Sequence, residues 1–284
     1  MNRPRSWLYV PGHRPERVAK ALASGADAVV VDLEDAVPPD RKETARAAAC
    51  EIARDRAAGG PALWVRVNDP TGPWGGADVA ALTGLGLDGL RLPRAEDPGV
   101  VRDVADRADL PLQLLLETAA GLARAAELAA AHPRVAGLGL GEADLAADLG
   151  LTSDAGLDWA RGWVVVAARA AGLPSPVQSV YPDVADLAGL RASSERGRET
   201  GFVGRSVVHP SQIPIVHEVF TPTEAQVESA RAVLAAAARA QERGEAAVLD
   251  DAGRFVDPAV VRRAHLVLDL ASDRRLAPNP GGTR

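Results

Sequence analysis

Eight short apolar runs recur along the chain, each followed by a stretch patterned for a helix, and this alternation confines the fold more tightly than any other feature. The runs lie at 7–11, 28–33, 62–68, 89–93, 112–118, 135–141, 177–181 and 205–209. Helix patterns fill 15–23, 42–54, 77–82, 99–107, 122–131, 158–171, 183–200 and 211–219. Eight strand–helix units in 284 residues predict an α/β protein with a (β/α)8 TIM barrel. The rival arrangement, a doubly wound sheet, lacks its glycine fingerprint, because the first strand runs into Pro11-Gly12-His13-Arg14-Pro15.

After the eighth unit comes an alanine-rich amphipathic helix at about 222–243. A further segment carries an acidic turn, Asp250-Asp251-Ala252-Gly253, and another helix from Pro258. Residues 1–220 are therefore assigned to the barrel and 221–284 to a C-terminal helical extension, with a Pro/Gly-rich tail expected to be disordered from about 276. The extension must pack outside the ring or on a neighbouring subunit, and an apolar helix face of that length favours an oligomer.

Composition narrows the partners. A net charge of −6 gives no support to nucleic-acid or acidic-membrane binding. No run approaches the roughly 18 apolar residues of a membrane helix. Residues 1–6 lack the apolar core of a secretory signal, so a cytoplasmic location is expected. Cys50 is the only cysteine, which excludes an intrachain disulfide and a cysteine metal cluster. Lys20 and Lys42 are the only lysines among 32 basic residues. An arginine can therefore stand for a lysine here through composition bias alone.

Barrel active sites sit at the C-terminal ends of the strands. The second strand, Ala28-Val29-Val30-Val31, runs directly into Asp32, Glu34 and Asp35. Charges at the end of a buried strand need a cationic partner. Capping of the next helix is the weaker reading of them, since Asp40-Arg41-Lys42-Glu43 already resembles a capping box for it. Arg66 ends the third strand and points towards the mouth, where a guanidinium can fork onto a carboxylate or an enolate oxygen, or pair with the acids of strand two. Glu117 and Asp144 end the neighbouring fifth and sixth strands. They could converge on one hard cation, with water and substrate completing the sphere as Mg²⁺ prefers, or cap the helices after them. For Glu117 the capping reading is weaker, because Thr118 is the better cap. A glycine-flanked turn, Gly201-Phe202-Val203-Gly204, leads to Arg205 and His209, a weak signal for phosphate binding.

Taken in order, these stretches resemble the citrate lyase β-subunit branch of the HpcH/HpaI aldolase family. The likeness runs from Arg5 to about Ala271. It rests on Arg5-Ser6-Trp7-Leu8-Tyr9-Val10-Pro11-Gly12, Val31-Asp32-Leu33-Glu34-Asp35-Ala36-Val37, Arg66-Val67-Asn68, Leu92-Pro93-Arg94, Glu117-Thr118-Ala119-Ala120-Gly121, Gly141-Glu142-Ala143-Asp144-Leu145 and His209-Pro210-Ser211-Gln212. The resemblance implies a Mg²⁺-dependent carbon–carbon lyase that cleaves a 3-hydroxyacyl thioester, citryl-CoA or a close relative, to acetyl-CoA and a 2-oxo acid such as oxaloacetate. It implies Glu117 and Asp144 as metal ligands and Arg66 as the group that binds substrate and steadies the enolate. Glu34 and Asp35 would orient water or substrate. Asp257, in Arg254-Phe255-Val256-Asp257-Pro258, would be an acid/base offered by a neighbouring subunit. Glu117, Arg14, Arg17 and Lys20 complete the substrate contacts, and the resemblance suggests a trimer or a dimer of trimers.

Arg94 and Arg205 stand where relatives often carry lysine. Gln178 stands where many carry aspartate, which removes a charge near the mouth. Other readings are a malyl-CoA or citramalyl-CoA lyase or thioesterase, a CoA-independent aldolase, and a citrate lyase subunit that needs carrier and transferase chains.

Overall fold

The computed structural model describes residues 4–245, 247–250 and 253–272. The chain divides into a compact unit over Pro4–His217 and a second that takes in the chain from Glu218. Seven parallel strands build the first: β1 (Ser6–Pro11), β2 (Ala28–Asp32), β3 (Ala62–Arg66), β4 (Gly89–Leu92), β5 (Leu112–Leu116), β6 (Val135–Leu140) and β7 (Arg205–Val207). Their order is β6-β5-β4-β3-β2-β1-β7. Helices return the chain between them, among them α1 (Pro15–Leu22), α2 (Lys42–Arg54), α3 (Gly75–Leu82) and α4 (Pro98–Ala108).

The sheet is curled. In a flat sheet β4 and β7 would stand about 19 Å apart, since neighbouring strands are about 4.8 Å apart. Yet Arg91 on β4 places Nη1 within 2.6 Å of the Tyr9 hydroxyl on β1 and 3.3 Å of Ser206 Oγ on β7. The interior so enclosed is filled at its base by Trp7, Ala28, Val30, Trp64 and Val177, with the two indoles 5.2 Å apart. Gly89 makes room for Trp64, because a Cβ there would lie 2.3 Å from that ring.

The seventh of the eight expected strands does not form as a ladder, so the described sheet has seven strands rather than eight. Segment 177–181 contributes a single bridge, Gln178 to Arg205. Prolines 176 and 182 bracket it and remove backbone donors, and the Ser179 hydroxyl donates instead to the Leu140 carbonyl. The expected capping box before α2 is also absent. Asp40 falls in a 3-10 turn, Pro39–Arg41, and no side chain caps the helix. The pattern at 122–131 becomes two short helices, α5 (Ala119–Ala123) and α6 (Ala125–Ala129). They are followed by α7 (Glu142–Asp148), α8 (Asp158–Ala170), α9 (Leu187–Glu199) and α10 (Ile213–Phe220).

In the second unit α11 (Glu224–Glu242) opens with a capping box between Thr223 and Gln226. A two-stranded hairpin, β8 (Val248–Leu249) with β9 (Phe255–Val256), precedes α12 (Pro258–Ser272). Ala230, Val233, Val256 and Ala264 form its core. Asp251, Ala252 and the tail from 276 lie outside the described residues. Among the described residues no helix is long and apolar enough to cross a membrane.

Gly89→Ala should cost about 1–3 kcal/mol of stability through overpacking against Trp64, measured by urea unfolding of the whole chain.

Candidate active site

The C-terminal ends of the strands line a cleft of about 970 Å³ within the first unit. Arg66 is one of the groups that line it. Parallel register sets the last residue of β3 beside the last of β2, so Arg66 and Asp32 are neighbours on the inward face. Their contact is bidentate, with Arg66 Nε to Asp32 Oδ1 and Nη2 to Oδ2 both at 2.7 Å. Asp32 is 1% exposed and also accepts the backbone N–H groups of Glu34 and Ala36. Its burial is thereby compensated on every side. The remaining Arg66 nitrogen, Nη1, lies 2.8 Å from Glu34 and 3.1 Å from Asp35. Lys42, which the sequence places in a helix start, turns inward, and its Nζ donates to the Leu33 and Glu34 carbonyls. It fixes the loop that carries these acids.

Glu117 follows β5 directly and is 5% exposed. Its Oε1 accepts the N–H of Arg94 at 2.7 Å. Arg94 delivers that N–H from a left-handed backbone, φ 47°, a costly conformation for a residue with a Cβ. On the other side stands Gly141, where a Cβ would lie 2.5 Å from Glu117 Oε2. Glycines 137, 139 and 141 all come from β6 or its end, and β6 pairs with β5 so that Gly137 faces Gln113 and Gly139 faces Leu115. Asp144 is exposed to the cleft in the first turn of α7 and caps nothing. Among the described residues its carboxylate takes no hydrogen bond or ion pair. The capping role falls to Thr118, which accepts the Gly121 N–H. Asp148, one turn after Asp144, accepts the Ala119 N–H and ties α7 to the end of β5.

The carboxylates crowd one another. Burial pushes Glu34 up to about 8, with Arg66 opposing and Asp35, Glu117 and Asp32 reinforcing the rise. Burial likewise pushes Glu117 up to about 7, against the Arg94 N–H and Arg66, while Asp144 and Asp35 raise it further. A hard divalent cation fits this donor set. Glu117 and Asp144 offer oxygens, the absent Cβ at Gly141 leaves space beside Glu117, and a positive ion would relieve the repulsion. No group of three or more His, Cys, Asp or Glu side chains able to hold a metal occurs among the described residues, so such an ion would draw its other ligands from water or substrate.

The other expected residues are not gathered here. Arg14, Arg17 and Lys20 are exposed on or beside α1, with Arg14 paired to Glu16, and none lines the cleft. Asp257 belongs to the second unit, where its carboxylate accepts the N–H groups of Ala259 and Val260 at the start of α12. Gln178 lines the cleft, but its amide packs on α9 against Ser193 and Gly197. His209 caps the turn after β7 through Nδ1.

Arg91, Arg161 and Arg196 of the cleft were not among the expected site residues, and Arg205, raised by the sequence only as a weak phosphate signal, lines it as well. Arg161 on α8 grips Glu142 with two hydrogen bonds and also pairs with Asp154 and Asp158. Arg205 lies buried among the Ser193 and Ser194 hydroxyls and the Ser179 carbonyl, and burial lowers it to about 10. Arg91 is the most enclosed, at 1% exposure. A lone arginine in Gly89-Leu90-Arg91-Leu92 reads as a solvent-facing strand residue. The signal against that reading is that a parallel barrel strand has no solvent face.

Several known proteins resemble this chain. The family model HpcH/HpaI aldolase/citrate lyase matches residues 5–210. A (3S)-malyl-CoA thioesterase of Cereibacter sphaeroides is 38% identical over 93% of this chain and 91% of its own. An L-malyl-CoA/β-methylmalyl-CoA lyase of the same species is 34% identical, covering 94% of each chain. The structure of the protein CitE from Mycobacterium tuberculosis, in complex with magnesium, acetoacetate and coenzyme A, superposes with a TM-score of 0.78 at 33% identity, covering 95% of this chain and 98% of that one.

Above about pH 4.5 the folded chain keeps protons that the unfolded chain has lost, on Glu117 up to about pH 7 and on Glu34 up to about pH 8. The folded state binds more protons in those windows, so these groups lower stability as pH rises through them. In EDTA the melting temperature of Glu117→Gln relative to that of the parent should therefore be higher at pH 8 than at pH 5. Thermal melts of both proteins across that range check it, and parallel pH profiles would contradict the assignment.

Proposed function

The chain belongs to the HpcH/HpaI aldolase/citrate lyase family, and from that premise we propose that it is a Mg²⁺-dependent carbon–carbon lyase acting on a 3-hydroxyacyl-CoA thioester. Citryl-CoA or a close relative such as malyl-CoA is the substrate, and acetyl-CoA and a 2-oxo acid such as oxaloacetate are the products. The observation that carries this reading is the uncommitted Asp144 carboxylate beside Glu117, opposite an Arg66 held rigidly by Asp32. Magnesium complexes among related structures support the choice of ion.

Glu117 and Asp144 would hold the ion, which supplies Lewis-acid polarisation of the 2-oxo acid's oxygens. The Asp257 carboxylate takes the proton of the substrate's carbinol hydroxyl, and the bond between that carbon and the thioester's α-carbon breaks. Its electron pair becomes the enolate of the acetyl thioester. Arg66 already has its guanidinium oriented, so it presents fixed positive charge to that oxygen without reorganising. Glu34, whose carboxyl group burial pushes up to about 8, orients substrate or water from beside Arg66. Asp35 shares Arg66 and faces the cleft, where it orients water. Asp257, offered by a neighbouring subunit of a trimer or dimer of trimers, returns the proton to the α-carbon. Arg14, Arg17 and Lys20 on the exposed side of α1 meet the CoA moiety.

A second reading, hydrolysis of the malyl thioester, is favoured by the 38% identity to the malyl-CoA thioesterase. Purified protein with Mg²⁺ and citryl-, malyl- or citramalyl-CoA separates the two, because the lyase releases acetyl-CoA and the thioesterase free CoA. Glu117→Ala and Asp144→Ala should abolish turnover. Arg66→Met should lower kcat by about 10²–10³, the size of effect seen on losing one group that stabilises developing charge. Full activity in Glu117→Ala would overturn the proposed site.

A further inference from the structure

Arg91 presents a charge that the protein itself does not answer. Its side chain reaches inward from β4, stacks on the Trp7 and Tyr9 rings, and uses Nε on Gln113 and Nη1 on Tyr9 and Ser206. Every one of these partners is neutral. No carboxylate pairs with it among the described residues, whereas Arg66 beside it in register has three. Nη2 makes no hydrogen bond among those residues and lies 3.9 Å from where a Cβ on Gly139 would stand. The missing side chain leaves that nitrogen open to the cleft, which Arg91 lines. A guanidinium buried this deeply without an acid is costly unless an anion arrives to meet it.

We propose that Arg91 is a specificity residue that binds the second carboxylate of a dicarboxylic 2-oxo acid at the floor of the cleft. This rests on the lyase reading above and deepens it by naming the substrate class. The bulky CoA must leave through the open mouth, and the reacting carboxylate and carbonyl belong at Glu117, Asp144 and Arg66. The remaining substituent on the carbinol carbon then points inward, towards Arg91. A hydrogen or methyl there gains nothing from a buried cation, but a carboxymethyl group carries the charge that Arg91 lacks. The preferred thioester is therefore of the citryl type, and the preferred oxo acid is oxaloacetate.

Calorimetric titration of the Mg²⁺-loaded protein with freshly prepared oxaloacetate and with 2-oxobutyrate tests this, since the two differ by a carboxylate against a methyl group. The parent should bind oxaloacetate at least about tenfold more tightly, the scale of one hydrogen-bonded charge contact. Arg91→Met should remove that preference and leave 2-oxobutyrate within about twofold, while Arg91→Lys keeps part of it. Equal affinity of the parent for both acids, or equal weakening of both by Arg91→Met, overturns the proposal. If Arg91→Met does not fold, the parent's own ratio and the Arg91→Lys ratio still decide it. Acids that bind without discrimination overturn the Arg91 proposal alone. Failure to bind either acid, together with no cleavage of any thioester, overturns the lyase reading and this proposal with it.

Discussion

The Arg66–Asp32 pair organises the site, and its consequences spread in both directions from one contact. Asp32 is buried at a strand end, where an unpaired carboxylate would be expensive, and Arg66 relieves that cost with a fork matched to both oxygens. Because Asp32 also takes two backbone N–H groups, the loop carrying Glu34 and Asp35 is tied to the same pair. Lys42 closes the loop from beneath. A guanidinium fixed in this way loses no side-chain freedom when a substrate oxygen arrives, which is what electrostatic preorganisation requires.

Around this pair the protein collects more negative charge than it neutralises. Asp35, Glu117 and Asp144 line the cleft, Glu34 lies buried beside Arg66, and burial raises Glu34 and Glu117 towards or beyond neutrality. Such crowding is unfavourable in the isolated chain and favourable once a divalent ion is bound, so the fold holds part of its stability in reserve for the loaded state. Arg94 shows the same bias on a smaller scale, where a strained backbone places an N–H on Glu117.

Much of this was legible in the sequence because parallel strands announce themselves as short apolar runs. Their inward ends could be read off without knowing the curvature. Seven runs became strands within a residue or two of their expected limits. The run at 177–181 did not, because its flanking prolines withhold the N–H groups that a ladder needs, a local veto that apolar patterning does not register. The capping box before α2 does not form because Asp40 falls inside a 3-10 turn, and Lys42 beside it serves carbonyls nine and eight residues earlier. Arg91 escaped notice since alternation assigns a lone charge in a strand to solvent. Its partners Tyr9 and Ser206 come from strands that only the curl of the sheet brings near.

The wall formed by glycines 137, 139 and 141 has an asymmetric evolutionary consequence. Each sits opposite a β5 side chain, and a methyl group at 141 would strike Glu117 while one at 139 would press on Leu115. Gly139 and Gly141 line the cleft as bare backbone, so any substitution there takes room from it and none adds any. Room on this side is gained instead at Leu115 of the facing strand, which also lines the cleft. Widening of the cleft here is thereby channelled onto one strand.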